Sequence, residues 1–303
     1  MCGHKYNEED VSQRRFLAHG RGRNYSHSTL ESYSYSLKTF RAFLSQRGVN
    51  KMRDVQADEL TAFRLWLTDS GLKPNTQEIH LSNLRAFFNW LEKTGAIFLN
   101  PARGLVIQRP ERPLLPVPTE AEMRKLLAQP DVSTRLGIRD RALLETAYST
   151  GARREELWRM NALDPDLREG RVRILGKTRK ERVVPLGRQA VHWLKIYIGE
   201  VRPRLLKGRL DQEALWLGKE GRRLGPQSIL VQIRQHARAA RIKTTITPHT
   251  LRRACATHML RGGAHPVQVQ MLLGHATLTT LGQYLRVTIR DLIQTHRSSN
   301  PGK

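Results

Sequence analysis

The sequence predicts a mainly α-helical protein with one small β-hairpin, divided into two unequal domains. Three observations predict this fold class. Apolar residues recur at helical spacing through most of the chain, prolines are concentrated in one short segment, and two β-rich runs flank a basic turn. With 303 residues, of which 39% are hydrophobic, the chain is long enough to bury two cores.

The first domain is predicted to be a helical bundle. Residues 1–25 are polar and basic, which predicts a flexible arm, and a helical domain is expected over residues 26–108. The sequence STLE at residues 28–31 has the spacing of a capping box, which predicts the start of the first helix. Helical periodicity predicts the elements that follow, at about residues 59–68 and 75–93, with a short turn at 100–101.

A proline-rich segment separates the two domains. Residues 106–118 contain four prolines and show no helical period, which predicts an extended linker, bounded here at 109–118. A second capping box, Thr119 to Glu122, predicts where the next domain begins. We expect that domain over residues 119–290, followed by a C-terminal tail at 291–303.

Net charge is the most pronounced feature of the composition. Lysine and arginine total 52 against 27 acidic residues, a formal net charge of +25. Residues 1–110 carry 16 basic and 10 acidic groups, whereas residues 111–303 carry 36 and 17. Because phosphates that bind Lys and Arg release counterions, this excess favours a polyanionic partner over a merely solvated basic surface. Charge alone does not separate DNA from RNA.

The sequence has no feature typical of secretion, a membrane or a metal site. Its N-terminal 15 residues lack an apolar signal core, and no run reaches the roughly 18 apolar residues of a membrane helix. Cys2 and Cys255 fit a reducing compartment better than a disulfide framework. Each has one nearby histidine, without the second pair of ligands that zinc requires. We therefore expect a cytoplasmic protein with no membrane contact, no metal and no cofactor.

Two of the candidate functional residues are cations next to predicted turns. Arg153 lies in TGARREEL, where Gly151 is expected to end one helix and Arg153 to begin the next. Lys177 lies in the turn between two predicted strands, residues 171–175 and 182–186. Each of these cations would ordinarily be a solvated surface residue. Next to a phosphate, however, a lysine ammonium can deliver a proton as well as charge.

The other candidates lie in the last third of the chain. Thr247 and Pro248 predict a helix start, so that His249 and Arg252 share one face near the N-terminus of that helix. An imidazole and a guanidinium in this position are typical of an anion site, although a lone His-x-x-Arg pair is more often a solvated helix end. His275 follows a Leu-Gly pair, and Tyr284 stands nine residues later in a basic region. An isolated tyrosine of this kind is ordinarily a packing residue.

Taken together, these segments resemble a known family. They look like the tyrosine recombinases, also called phage integrases, and resemble most the two-domain recombinases of the Xer type and the integrases of mobile elements. The resemblance covers roughly residues 28–290. It rests on the helical N-terminal domain and on four segments in order: TGARREEL, GKTRKERVVPL, HTLRRACATHMLRGGA and VQMLLGHATLTTLGQY.

The resemblance implies a catalytic set and a reaction. Matched motif by motif, the set is Arg153, Lys177, His249, Arg252, His275 and Tyr284. Tyr284 would be the nucleophile that forms a 3′-phosphotyrosyl link to DNA, with His249 as its base. The two arginines would hold the phosphate, Lys177 would protonate the leaving 5′ oxygen, and His275 would hydrogen-bond the phosphate. The sequence departs from the family pattern at Ala152, at Arg253 and in GQYLRV around the tyrosine, and no departure removes a catalytic side chain.

The resemblance also implies an architecture and partners. The helical core-binding (SAM-like) domain and the catalytic domain would form a C-shaped clamp around double-stranded DNA. Recombination would take place in a tetramer on paired DNA sites, built from four copies or together with sister recombinases, and would serve DNA integration, excision, transposition or resolution. The protein would be associated with the bacterial nucleoid when bound. The tail after Tyr284 would dock on a neighbouring protomer or pack on its own domain.

Three other functions compete with this interpretation. A type IB topoisomerase shares the chemistry, but the N-terminal domain and the LLGH spacing disfavour it. A non-catalytic DNA-binding relative would be free to lose Arg153 or Tyr284, and both are present. A basic RNA-binding protein predicts none of these spacings, and the sequence lacks the clustered aromatic residues of a base-stacking module.

Overall fold

A computed structural model describes residues 8–49, 51–107, 116–176, 181–209 and 212–274. These residues fall into two compact units, one that contains residues 8–107 and one that contains residues 116–274. Within the described residues, no helix combines the length and the hydropathy that crossing a lipid bilayer would require.

The first unit, as far as it is described, is a helical bundle around an aromatic core. Its α-helices are α1 (Glu8–Gly22), α2 (His27–Gln46), α3 (Ala57–Asp69) and α4 (Pro74–Lys93). The two helices predicted after the first capping motif are confirmed as α3 and α4. The rings of Phe40, Phe63, Phe87 and Phe88 are fully buried, so that three of the helices share one core.

The start of α2 differs from the prediction by two residues. The N-cap is Ser26, whose hydroxyl accepts a hydrogen bond from the backbone N–H of Thr29, and not Ser28. Ser26, Ser28 and Thr29 are all residue types that favour the N-cap position, so the sequence alone does not distinguish them.

The expectation of a flexible arm over residues 1–25 is wrong for residues 8–22, which form α1. The physical reason is a single aromatic side chain. Phe16 is buried, and its ring meets Tyr33 and Phe87 edge-on at centroid distances of 5.0 and 5.3 Å. Burial of one phenylalanine contributes roughly 2–3 kcal/mol, which anchors an otherwise polar helix to the bundle.

The second unit is mainly helical. Its described residues form the α-helices α5 (Glu120–Leu127), α6 (Arg135–Thr150), α7 (Arg154–Arg159), α8 (Arg188–Ile196), α9 (Arg202–Leu206), α10 (Pro226–Ala239), α11 (Pro248–Arg261) and α12 (Pro266–Leu273). The predicted capping box at Thr119 and Glu122 is confirmed as the start of α5. The predicted helix start at Thr247 and Pro248 is confirmed as the start of α11. α6 packs against both α8 and α11 in the centre of the unit.

A small antiparallel sheet lies beside these helices. It consists of β1 (Pro165–Asp166), β2 (Arg171–Leu175) and β3 (Glu181–Pro185), in the order β1-β2-β3. The predicted hairpin is confirmed, with its second strand one residue earlier than expected and with β1 as an additional strand. Val172, Ile174 and Val184 point into the core, and Leu175 pairs with Glu181 at the end of the hairpin next to the turn.

Replacing Phe16 with alanine should lower the free energy of unfolding by about 3–5 kcal/mol, because it leaves a cavity among aromatic rings that include Trp90. Chemical denaturation of the full chain, followed by circular dichroism, measures this loss. Val11→Ala on the exposed side of the same helix is the control and should change stability by less than about 0.5 kcal/mol. Equal stability of the two variants would show that α1 does not belong to this core.

Candidate active site

Three of the six predicted catalytic residues lie in the described part of the chain: Arg153, His249 and Arg252. Lys177, His275 and Tyr284 lie outside it. In the sequence, Lys177 and His275 border described elements. Strands β2 and β3 flank residue 177, and α12 with its cap ends immediately before residue 275.

Arg252 is an almost fully buried cation in the second turn of α11. Its side chain is 1% exposed. It donates a hydrogen bond from Nη1 to the carbonyl oxygen of Gly151 (2.8 Å) and from Nη2 to that of Leu273 (2.6 Å). A buried guanidinium must be satisfied by acceptors of this kind. Arg252 therefore joins the segment before Arg153 to the end of α12.

Gly151 makes this close approach possible. It caps α6 with a left-handed backbone (φ +58°), a conformation that glycine adopts without strain. A Cβ atom at this position would lie 2.6 Å from Cδ2 of Leu273 and 3.7 Å from Cγ of Arg252. The glycine in TGARREEL thus ends one helix and leaves room for the arginine of another.

Arg153 stands at the N-cap of α7, with its side chain 46% exposed. Its backbone N–H donates to Oε2 of Glu156 (2.8 Å), and its Nη1 donates to Oε1 of the same carboxylate (2.9 Å). The carboxylate therefore fixes both the first turn of the helix and the direction of the guanidinium. The exposed part of the side chain remains available to an anion.

Glu156 is a buried carboxylate between two arginines. It is 3% exposed and receives a bidentate contact from Arg182 on β3, with Nη1–Oε1 at 3.0 Å and Nη2–Oε2 at 2.8 Å. Burial alone would raise its pKa. The hydrogen bonds from Arg182 and from the backbone of Arg153, together with the charges of both guanidinium groups, outweigh burial and lower the pKa to about 2.

Arg182 also reaches the end of α12. Its Nε donates to the carbonyl oxygen of Leu272 at 3.1 Å. Gly274 caps the helix with φ +64°, and a Cβ atom there would lie 3.0 Å from Cδ of Arg182. The last described residue before His275 thus lies directly against this arginine.

His249 stands in the first turn of α11, one turn before Arg252, with its side chain exposed. The surrounding residues still desolvate the ring in part, and this lowers its pKa. Repulsion by the nearby cations Arg253, Arg252 and Arg153 lowers the pKa further. A neutral imidazole surrounded by arginines can accept a proton at neutral pH.

The structure thus brings together three predicted residues from two segments about 100 positions apart. It also shows two residues that the sequence did not single out, Glu156 and Arg182. The spacing of Arg153 and Glu156 is that of an N-cap and its third helical residue, which was a usable local signal. Arg182 looks in sequence like an ordinary cation of a β-strand. Among the described residues, no cluster of three or more His, Cys, Asp or Glu side chains could hold a metal ion.

Comparison with known proteins identifies the family. Residues 117–290 match the model of the Phage integrase family, and residues 15–95 match that of the phage integrase N-terminal SAM-like domain. Tyrosine recombinase XerD of Pseudomonas aeruginosa is 36% identical over 274 residues, which cover 90% of this chain and 91% of that protein. The chain therefore belongs to the phage integrase family, and the resemblance inferred from its motifs is confirmed.

Solved structures agree in fold. XerH site-specific recombinase bound to a palindromic difH substrate, in a post-cleavage complex, is similar with a TM-score of 0.73 and 21% identity, over 93% of this chain and 82% of that one. A lambda integrase tetramer bound to a Holliday junction is similar with a TM-score of 0.68 and 21% identity, over 91% and 76%. The mainly helical fold class is confirmed. As a member of this family the chain is a tyrosine recombinase, an enzyme of site-specific recombination that cleaves and rejoins DNA.

Replacing Glu156 with glutamine should destabilise the protein in a pH-dependent way. Because the folded-state pKa is lowered from 4.5 to about 2, the ionised carboxylate stabilises the fold fully above pH 4.5, and this contribution is lost as the pH falls towards 2. Its size is about 3 kcal/mol. The stability difference between wild type and Glu156→Gln should therefore shrink by more than about 1 kcal/mol between roughly pH 6 and pH 3.5.

Denaturant titrations of both proteins across this pH range measure the difference. The control is Glu155→Gln, the same change at the neighbouring residue, whose carboxylate pairs with Arg154 at the surface. If the Glu156→Gln difference stays constant with pH, or matches that of Glu155→Gln, the buried carboxylate is not ionised as described.

Proposed function

We propose that this enzyme recombines DNA through a covalent 3′-phosphotyrosyl intermediate formed by Tyr284. The proposed catalytic set is Arg153, Lys177, His249, Arg252, His275 and Tyr284. One observation carries the proposal: Arg153, Arg252 and a histidine of lowered pKa converge at the helix starts of α7 and α11. This convergence makes a site for a phosphate next to a proton acceptor.

The two arginines supply the charge that the transition state requires. A guanidinium is always protonated and carries five N–H donors, so Arg153 and Arg252 are suited to the two non-bridging oxygens. Both are held in place before DNA arrives, Arg153 by Glu156 and Arg252 by two backbone carbonyls. Preorganised donors of this kind typically contribute about 3–4 kcal/mol each to lowering a barrier.

In the proposed cleavage step, the attacking hydroxyl loses one proton and the leaving oxygen gains one. The Oη of Tyr284 attacks the scissile phosphorus and forms a P–O bond, while its proton passes to neutral His249. The bond from phosphorus to the 5′ oxygen breaks, and Lys177 donates a proton to that oxygen, which leaves as a hydroxyl. His275 hydrogen-bonds the phosphate. Because the phosphotyrosine retains the energy of the broken phosphodiester, the reverse attack by a 5′-hydroxyl rejoins DNA without ATP.

The proposed substrate is a pair of double-stranded DNA sites, held by several protomers. The net charge of +25 and the concentration of basic groups after residue 110 support a DNA partner. The similar XerH and lambda integrase structures contain DNA, and the latter is a tetramer. We propose a tetramer of four copies, or one completed by sister recombinases. Because its substrate is DNA, the protein would act in the cytoplasm, at the nucleoid when bound.

The proposal assigns a task to each part of the chain. Residues 26–108 would be the core-binding domain and residues 119–290 the catalytic domain. Residues 109–118 would link these two domains, both of which would bind the duplex, and the tail at 291–303 would contact a neighbouring protomer or its own domain. The reaction would serve integration, excision, transposition or resolution of DNA.

Trapping on a suicide substrate tests the nucleophile. A pool of nicked duplexes with randomised sequence, incubated in EDTA without ATP, should yield a covalent protein–DNA adduct, because loss of the short 5′-hydroxyl fragment prevents rejoining. Tyr284→Phe removes one oxygen and should abolish the adduct while DNA binding persists. Tyr148→Phe removes the same atom from another tyrosine of the second unit and should leave the adduct in place.

Peptide mapping of the adduct and sequencing of the trapped DNA complete this test. DNA on any tyrosine other than Tyr284, or an adduct that survives in Tyr284→Phe, would refute the assignment. Absence of an adduct with the wild-type protein would favour a non-catalytic DNA-binding relative. Relaxation of a plasmid without any trapped site would favour topoisomerase activity.

A further inference from the structure

We propose that Arg182 is a positioning residue for strand cleavage, which sets Arg153 against the scissile phosphate by holding Glu156. The inference rests on the proposed function, because it concerns how one of the proposed phosphate ligands is kept in place. Arg182 itself would not touch the phosphate.

Three nitrogen atoms of Arg182 donate hydrogen bonds to two other elements. Nη1 and Nη2 bind the two oxygens of Glu156 in α7, and Nε binds the carbonyl oxygen of Leu272 in α12. Its side chain is 16% exposed. A planar guanidinium can make such a forked contact and a third bond at once, whereas a lysine ammonium lacks this fixed geometry.

The carboxylate of Glu156 also binds Arg153. Oε1 of Glu156 accepts from Nη1 of Arg182 at 3.0 Å and from Nη1 of Arg153 at 2.9 Å, and Oε2 accepts from Arg182 and from the backbone N–H of Arg153. A shift of the carboxylate would therefore move both the helix start and the side chain of Arg153. Arg182 binds both oxygens of this carboxylate from β3, an element other than the helix that carries Glu156, and so fixes the carboxylate relative to the sheet.

The sheet itself does not depend on this arginine. Strands β2 and β3 pair over five residue positions, and Val172, Ile174 and Val184 anchor them in the core. What depends on Arg182 is the relative position of three parts of the site. These are the hairpin that carries Lys177, the start of α7 and the end of α12 that leads to His275.

Two arginines bind the carbonyl groups at the end of α12. The last carbonyls of a helix have no partner within the helix. Here Arg182 binds the carbonyl of Leu272 and Arg252 binds that of Leu273, so that two arginines of the site hold consecutive residues. Arg182 thus stabilises the end of α12 in the same way as Arg252, a proposed phosphate ligand.

The test compares two substrates within each variant. A duplex recovered from the trapping experiment is prepared with an ordinary scissile phosphate and with a methylphosphonate, in which one non-bridging oxygen is a methyl group and the negative charge is gone. The rate ratio between the two reports how well the arginines stabilise charge on the phosphate. Because both rates come from one preparation, a lower fraction of folded protein cancels in the ratio.

Arg182→Lys and Arg182→Gln should each lower the ratio of phosphodiester to methylphosphonate cleavage by roughly 100-fold, the cost typical of misplacing a catalytic group by about 1 Å. Arg153→Ala should shift the ratio in the same direction. The control is Arg173→Gln on the neighbouring strand, where the arginine is 53% exposed and pairs with Asp164. This variant should keep the wild-type ratio.

The outcomes separate this inference from the proposed function. If the wild-type protein cleaves the phosphodiester and Arg182 variants keep the wild-type ratio, Arg182 has only a structural role and the inference is wrong. If Arg182 variants lower the ratio as Arg153→Ala does, the positioning role is supported. If the wild-type protein forms no adduct on the phosphodiester, the proposed function itself fails.

Discussion

A single buried carboxylate joins the start of α7, the strand β3 and the guanidinium of Arg153. Glu156 receives hydrogen bonds from the backbone and side chain of Arg153 and a forked contact from Arg182. Removing one partner of a buried pair leaves an uncompensated charge, which typically costs about 3–5 kcal/mol. The helix start, the strand and the exposed guanidinium are therefore coupled, and a change in one of them is felt by the others.

This arrangement favours function more than stability. Buried ion pairs contribute little net stability compared with apolar residues of similar size, because taking two charges out of water is costly. Arg252 follows the same pattern, since it is buried and binds backbone carbonyls on two segments. The result is a set of cations whose positions are determined before any anion binds. Preorganisation of this kind is what a site for a transferring phosphate requires.

Local signals in the sequence predict many of the helices and the hairpin. The features that the sequence does not predict depend on contacts between distant segments. Thr119 and Glu122 lie close in sequence, and their capping box was predicted correctly. Helix α1 was missed because its anchor is one aromatic residue in a polar segment, which gives no periodic signal. Glu156 appears in sequence as one of four adjacent charges, and its contact with Arg182 spans 26 positions. The resemblance to the recombinases predicts Arg153, His249 and Arg252 as members of one site, and the structure shows how the two arginines are held. The roles of all six residues remain predictions.

The central claim is that Arg153 and Arg252 together bind the scissile phosphate, with Glu156 holding the first of them. A crystal structure of Tyr284→Phe bound to an uncleaved duplex tests it most directly. The account predicts both guanidinium groups within about 3 Å of non-bridging oxygens of one phosphate, His249 beside it, and the contact between Arg153 and Glu156 retained. A scissile phosphate that contacts neither arginine, or an Arg153 that leaves Glu156 and points away from the DNA, would contradict it.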